Sequence, residues 1–256
     1  MMRWVYLSPH LDDAVLSAGG LIYEQTRAGK AVEIWTLMSG IPANPELSEF
    51  ALQMHQKWGT TTAEATVATR RAEDQRAAAM LGAVPVHFEF LDAIYRRGTS
   101  GEPLYAEPID AQVPPQEAAL PKHLSEAINR RLNPDDRVIC QLAIGQHVDH
   151  LLARNAAEML GRPLLYTADL PYLLWSPKDL AEKTAGMRST LYPFSDAAAE
   201  AWLAAVGEYR SQLSTLYESW ELLCRDMRAH WASQGGIRLW ARSEPQGEGL
   251  DSGPKA

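Results

Sequence analysis

The chain has 256 residues, 46% of them hydrophobic and 22% charged, with 24 Lys+Arg against 32 Asp+Glu and a net charge of −8. That length suits one α/β domain, and that composition excludes disorder, collagen-like repeats and a membrane-embedded chain. The acidic balance, pI ≈ 5.4, removes any broad electrostatic attraction for nucleic acid or anionic lipid, so neither is expected as a partner.

In chain order, the N-terminus MMRWVYLSPHLDD carries one Arg, a short apolar run and then carboxylates. It has no signal-peptide core, and no later window is apolar enough to span a bilayer, so the expected location is the cytoplasm. Residues 4–7 read as a buried strand ending at Ser8-Pro9. Val15, Leu16, Leu21 and Ile22 give residues 14–28 a helical period, closed by Gly29. Residues 31–38 form a second strand, and this strand–helix–strand unit opens a parallel sheet. Helices are predicted over 46–57 and 62–81, ended by Gly59 and Gly82, followed by a strand over 84–91. Residues 95–115, with Gly98, Gly101, Pro103, Pro108, Pro114 and Pro115, make a long loop expected to shape specificity. A helix over 116–132, a strand over 137–142, a helix over 149–160 and a short strand over 163–167 continue the alternation.

The last third reads as mostly helical. Trp202, Val206, Tyr209, Leu213, Leu216, Trp220, Leu223 and Met227 are spaced alternately four and three. Such a seam predicts one long amphipathic helix, or two, lying on the sheet, in preference to an intermolecular coiled coil; a homo-oligomer is compatible with either. Residues 237–241 suit a final strand, and 243–256 a disordered tail. The expected architecture is therefore a single α/β domain over 1–242, a mostly parallel sheet flanked by helices with a helical C-terminal third.

Two short segments carry chemistry. Ser8-Pro9-His10-Leu11-Asp12-Asp13 follows the first strand and precedes a helix; Gln146-His147-Val148-Asp149-His150 follows the strand over 137–142 and precedes another. Ligands in open α/β sheets bind beyond the carboxyl ends of the strands, so both segments can converge on one edge. Imidazole and carboxylate suit Zn²⁺ and similar divalent ions, and three protein ligands leave a position open for water. Either segment alone would more often be a helix cap; together they point to a metal site. His55, His87, His123 and His230 lie in predicted helices or strands and read as structural. Cys140 and Cys224 are too few for a disulfide framework and form no CxxC pair; Cys140 reads as a buried thiol.

These residues resemble the PIG-L/LmbE-like zinc-dependent N-deacetylases. The resemblance rests on Pro9-His10-Leu11-Asp12-Asp13 and His147–His150. Softer matches are Arg70-Arg71-Ala72-Glu73, Phe90-Leu91-Asp92, Asp169-Leu-Pro-Tyr172 and Tyr209-Arg-Ser-Gln212. It covers roughly residues 3–215. It implies a Rossmann-like fold and a metal, Zn²⁺ or another divalent ion such as Fe²⁺, held by His10, Asp13 and His150. Asp12 is implied as general base. His147 is implied to stabilise the oxyanion and protonate the amine, with Asp149 orienting it. Many members read AHPDDE, whereas Leu11 and Ala14 stand here; the ligands are unaffected, but the substrate subgroup is left open.

Amide hydrolysis agrees with this set, since it needs an activated water, a polarised carbonyl and an acid for a poor leaving group. The implied substrate is an N-acylated amino-sugar small molecule, for which Arg70, Asp92, Tyr172 and Trp175 are candidate contacts. Three other readings share some of these residues. A non-haem Fe(II) oxygenase would use His10, Asp12 and a distant His, but on a double-stranded β-helix. A dinucleotide-binding protein would need GxGxxG after the first strand, whereas Gly19-Gly20 lies within a helix. A metal-binding but inactive relative would lack Asp12 or His147.

Overall fold

The computed structural model describes residues 1–109 and 111–242; the tail expected over 243–256 lies outside them. The first two-thirds alternate as read from the sequence. β1 (Arg3–Ser8), α1 (Asp13–Arg27), β2 (Ala31–Thr36), α2 (Glu49–Lys57), α3 (Ala63–Met80) and β3 (Val84–His87) are followed, after the long loop, by α4 (Leu120–Asn129), β4 (Arg137–Gln141), α5 (Val148–Glu158) and β5 (Leu164–Thr167). The last third holds α6 (Tyr172–Trp175), α7 (Asp179–Lys183), β6 (Met187–Tyr192), α8 (Asp196–Val206), α9 (Arg210–Leu216), α10 (Trp220–Gln234) and β7 (Ile237–Arg242).

The seven strands run in the order β3-β2-β1-β4-β5-β7-β6. The first five are mutually parallel, and β7 runs antiparallel to both β5 and β6. β1 and β4 are central, covered on both faces, and this is why they read as continuous apolar runs. The order reverses between them, so their carboxyl ends flank the crevice where such sheets bind ligands. This is a parallel sheet with crossover helices, not the double-stranded β-helix an oxygenase reading required.

Three expectations are corrected. The strand over 84–91 stops at His87, because the chain leaves the sheet for an isolated bridge between Met38 and Glu89. The helix over 116–132 is a 3₁₀ turn (Pro115–Glu117) and then α4. The apolar seam from Trp202 to Met227 belongs to three helices rather than one or two. α8 ends at Gly207, and α10 starts afresh where Ser219 accepts a cap bond from Leu222 N–H. β6 was not foreseen.

Gly19 and Gly20 sit inside α1 for a packing reason. A Cβ on Gly19 would lie 2.4 Å from the Trp202 ring, and one on Gly20 2.8 Å from it. The indole N–H also donates to Val15 O at 2.6 Å. α8 thus docks on α1 along a glycine groove and fixes the helix that carries Asp13. Among the described residues no helix is long and apolar enough to cross a membrane.

Candidate active site

The turn after β1 is held by its own backbone. His10 N–H donates to Asp13 Oδ2 at 2.7 Å, and Asp12 N–H to His10 O at 3.0 Å. Ser8 Oγ donates to His10 O at 2.6 Å and accepts from Ala14 N at 3.0 Å. Asp12 is the N-cap residue of α1, yet its carboxylate caps nothing. The bland reading of Asp12 as a helix cap therefore fails, and its oxygens are left to the cavity. Asp13 stands in the first turn of α1, where the helix dipole favours a carboxylate.

The second segment arrives from β4 through a turn in which Ala143, Gly145 and Gln146 all have positive φ, 58°, 81° and 54°. Only glycine takes that region freely, so the two other residues mark backbone strain beside the site. Gly145 has a further reason to be glycine: a Cβ there would lie 2.3 Å from the Tyr172 ring. The turn delivers His147 as the N-cap of α5, its Nδ1 accepting Asp149 N–H at 3.1 Å. The long loop docks alongside, with Val148 N–H donating to Pro108 O at 2.9 Å.

His10, Asp12, Asp13, His147, Asp149 and His150 are all buried, and the two segments converge as expected. His150 Nδ1–H donates to Asp169 Oδ1 at 2.8 Å, so in the neutral ring Nε2 keeps its lone pair. That Nε2 is buried, has no hydrogen-bond partner and stands 3.3 Å from Asp13 Oδ1. His10 repeats the pattern. Its Nε2–H donates to Asp149 Oδ2 at 3.0 Å, and its Nδ1 faces Asp13 Oδ2 at 3.2 Å. Two imidazole lone pairs thus converge on one carboxylate, each ring fixed from behind by another carboxylate. Burial lowers both pKa values, but the surrounding carboxylates outweigh it, raising His10 well above the ordinary histidine value and His150 to about 9; protons therefore balance Asp13 until a divalent ion replaces them, and buttressed imidazoles are the usual outer support of metal ligands.

Two other donor groups are close. Ring nitrogens of His10, His147 and His150 lie within 4.8 Å of one another, as do ligand atoms of His10, Asp92 and Asp149. His147 is the weaker ligand, because its Nδ1 accepts a backbone N–H and its Nε2 therefore carries the hydrogen. Burial and the nearby His10 also push its pKa well below the ordinary histidine value. In the second group Asp149 is already ion-paired to Arg96 and accepts from Ala93 N–H at 2.9 Å.

Asp149 differs from its expected role of orienting His147. Its carboxylate turns to His10, Arg96 and Ala93, and only its backbone N–H reaches His147. Burial opposes its charge, but Arg96 and His10 hold it well below the usual carboxylate range. Asp12 moves the other way: burial and the adjacent Asp13 push it up to about 7, against the pull of Arg70.

Arg70, from α3, reaches over the cavity. Its guanidinium lies 3.8 Å from Asp12 Oδ2, 3.5 Å from Asp92 Oδ2 and 5.0 Å from the Trp58 ring centre. Asp92 also caps the 3₁₀ turn Ala93–Tyr95 through Ile94 N–H at 3.2 Å. The cavity holds about 390 Å³ and is lined by His10, Asp12, Asp13, His147, Arg70 and Asp92, with Trp58, Tyr172, Gln212 and Leu216. Of the remaining histidines, His55 bonds Tyr95 Oη and His87 bonds Asp74, as structural residues do.

Residue reading missed two participants. The sequence offers Asp169 only within the softer match Asp169-Leu-Pro-Tyr172 and gives no signal for Arg96; both act through contacts between distant segments that no spacing encodes. Glu73 and Tyr209, noted as soft matches, prove to be fasteners. Glu73 accepts from Ser211 N–H (2.9 Å) and Oγ–H (2.6 Å), and Tyr209 Oη donates to Asp74 at 2.8 Å. They tie α9, and with it Gln212 and Leu216, to the helix bearing Arg70.

Comparison with known proteins bears on this geometry. The sequence model of the PIG-L family, GlcNAc-PI de-N-acetylase, matches residues 5–160. A 2'-N-acetylparomamine deacetylase from Niallia circulans is 29% identical over 238 residues, 84% of this chain and 82% of the relative. Among solved structures, the zinc-inhibited form of the teicoplanin deacetylase Orf2 superposes with a TM-score of 0.81 at 28% identity, covering 95% of this chain and 99% of its own. The A40926 pseudoaglycone deacetylase Dbv21 superposes at 0.77 with 31% identity, covering 94% and 96%.

Proposed function

The chain belongs to the PIG-L family, and from that premise we propose that it is a metal-dependent hydrolase removing an N-acetyl or other N-acyl group from an amino-sugar-containing small molecule. The observation that carries the reading is the buried, unpartnered Nε2 of His150 facing Asp13, mirrored by His10 Nδ1. The deacetylase names of the relatives support the reaction class.

His10, Asp13 and His150 would hold one divalent ion, with Zn²⁺ the proposed identity and Fe²⁺ suited to the same donors. When bound, the ion activates water as a nucleophile and polarises the acyl carbonyl. Asp12 takes the proton from the attacking water; a carboxyl pushed up to about 7 is poised to accept and return it near neutral pH. His147 donates its Nε2–H to the acyl oxygen as negative charge develops there. As the C–N bond breaks, Asp12 returns its proton to the leaving amine. This assigns the acid role to Asp12, because the Nδ1 of His147 is engaged by backbone and its pKa is lowered. Arg70 and Asp92 bind sugar hydroxyls at the cavity wall. Asp149 and Asp169 hold His10 and His150 in the ligating tautomers.

The test is release of free amine from a panel of N-acylated amino sugars, before chelation, after it, and after Zn²⁺ is restored. Activity should vanish with the metal and return with it. Undiminished turnover in fully chelated protein, or a His150→Ala variant with full metal stoichiometry, would overturn the assignment.

A further inference from the structure

The long loop between β3 and α4 grips the site at two points. One part of it is a hairpin, closed by Leu104 N–H to Arg96 O at 3.0 Å and by Gly98 N–H to Glu102 O at 2.8 Å. Further on, Ile109 bridges His147, beside the Pro108 carbonyl that takes the Val148 N–H. Arg96 is the C-cap of the 3₁₀ turn Ala93–Tyr95, so one short turn carries Asp92 at its start and a buried cation at its end.

From there a series of side chains leads to a proposed metal ligand. Tyr105 Oη donates to Glu117 Oε2 at 2.5 Å, and the Tyr105 ring centre lies 5.2 Å from the Arg96 guanidinium. Glu117 Oε1 is ion-paired to Arg96 Nε at 2.5 Å, and Arg96 Nη1 to Asp149 Oδ1 at 2.5 Å. Asp149 Oδ2 accepts the His10 Nε2–H at 3.0 Å. Arg96, Glu117 and Asp149 are 7%, 5% and 0% exposed. Three buried ions are a poor way to fasten a loop, since well-packed apolar side chains of similar volume commonly do as well or better. The same loop has an ordinary fastener in Arg97, which donates to Gly101 O at 2.6 Å and to Glu46 O at 3.0 Å near the surface.

We propose that Glu117 and Tyr105 are positioning residues of the metal site, acting on His10 through Arg96 and Asp149. Two effects of Glu117 have the same sign. Its pairing with Nε holds the guanidinium so that Nη1 meets Asp149. Its charge also offsets part of the Arg96 charge, which leaves Asp149 a stronger acceptor for the His10 Nε2–H. A stronger acceptor behind an imidazole makes its other nitrogen a better metal donor. The inference rests on the metal reading above and adds the loop residues that set the strength of His10 as a ligand.

The experiment takes two readouts on the full chain. One is Zn²⁺ affinity by chelator competition; the other is the His10 Nε2–H proton resonance in metal-free protein, assigned by its loss in His10→Ala. In wild type that proton should lie far downfield, as a bond to a buried carboxylate requires. Glu117→Gln keeps the shape and removes the charge. It should weaken Zn²⁺ binding about three- to tenfold, less than the ~10–100-fold of a ligand's immediate partner, and move the proton upfield. Tyr105→Phe should move both readouts the same way by less. Arg97→Ala loosens the loop without touching the series, and should leave both unchanged. A Zn²⁺ affinity in Glu117→Gln within about twofold of wild type, well short of an outer-support effect, would overturn the proposal, as would an equal loss in Arg97→Ala. If wild type takes up no Zn²⁺, the metal reading fails and the resonance alone decides. A shift in Glu117→Gln and none in Arg97→Ala then supports the series, and an unmoved resonance or an equal shift in Arg97→Ala overturns it.

Discussion

Asp12 and Asp13 are adjacent in sequence and opposite in task. Asp13 is drawn down by His150 and His10 against the cost of burial, whereas burial pushes Asp12 up and Asp13 adds to the push. A ligand should be a charged carboxylate and a base should be able to hold a proton, so the pair divides along that line. Asp12→Asn should retain the metal and lower kcat by ~10²–10⁴, the usual range for a general base; metal analysis beside steady-state kinetics checks both halves. His147→Gln should likewise keep the metal and lower kcat, since it disturbs only the group facing the oxyanion. A metal-free His147→Gln protein would instead make His147 a ligand. Asp169→Asn removes the charge behind His150, and should weaken metal affinity by ~10–100-fold in a chelator competition. The histidines and aspartates themselves were legible, because each segment follows a strand and opens a helix. The partner of Asp149 was not, because Ala93 and Arg96 reach it across more than fifty residues.

At the scale of elements, parallel strands and crossover helices announce themselves by apolar runs and glycine stops; β1, β2, β4 and β5 follow that reading closely, whereas β3 stops four residues short of it. β6 does not, because it is an edge strand: four of its six residues, Arg188 to Leu191, are exposed, and it pairs with β7 alone. Such a strand carries no buried-face alternation to detect. The seam from Trp202 to Met227 misled for a different reason. Three helices that bury one side against the same core keep the spacing of a single helix, and only the cap at Ser219 and the stop at Gly207 betray the breaks. The glycine groove gives a sharp test of how α8 holds α1. Gly19→Ala places a methyl against the flat, fully buried Trp202 ring, which has no flexible end to yield. Overpacking of that kind should cost ~1–3 kcal/mol in denaturant unfolding. Glu73→Gln weakens the fastening of α9 and should raise KM more than it lowers kcat, because α9 lines the cavity through Gln212 and Leu216 and supplies none of the proposed ligands or proton carriers.

For the whole molecule, the consequential feature is where its charge lies. Asp12, Asp13, Asp92, Asp149 and Asp169 are all buried around one crevice, and the guanidiniums buried among them are Arg70 and Arg96. Arg96 is shared with Glu117 as well. A chain already carrying −8 overall thus concentrates negative charge where water is largely excluded, and a rise in the Asp12 pKa to about 7 registers the crowding. Folding without a metal ion must offset that crowding with protons, on Asp12 or on His10 and His150, whose pKa values the neighbouring carboxylates raise against the effect of burial. A divalent ion at His10, Asp13 and His150 offsets it, and binds the folded chain far better than the unfolded one. By mass action, an ion at ~100 times its dissociation constant should add about 2.7 kcal/mol of stability. For a chain of this size that corresponds to a Tm higher by roughly 5–10 °C. Differential scanning calorimetry of chelated protein, with and without added Zn²⁺, measures the shift. In His150→Ala the Zn²⁺-dependent rise should disappear, because a ligand is gone. In Asp12→Asn it should persist from a higher starting Tm, because one crowded carboxylate has been neutralised while all three ligands remain. A rise of the same size in His150→Ala would place the stabilising ion elsewhere on the molecule.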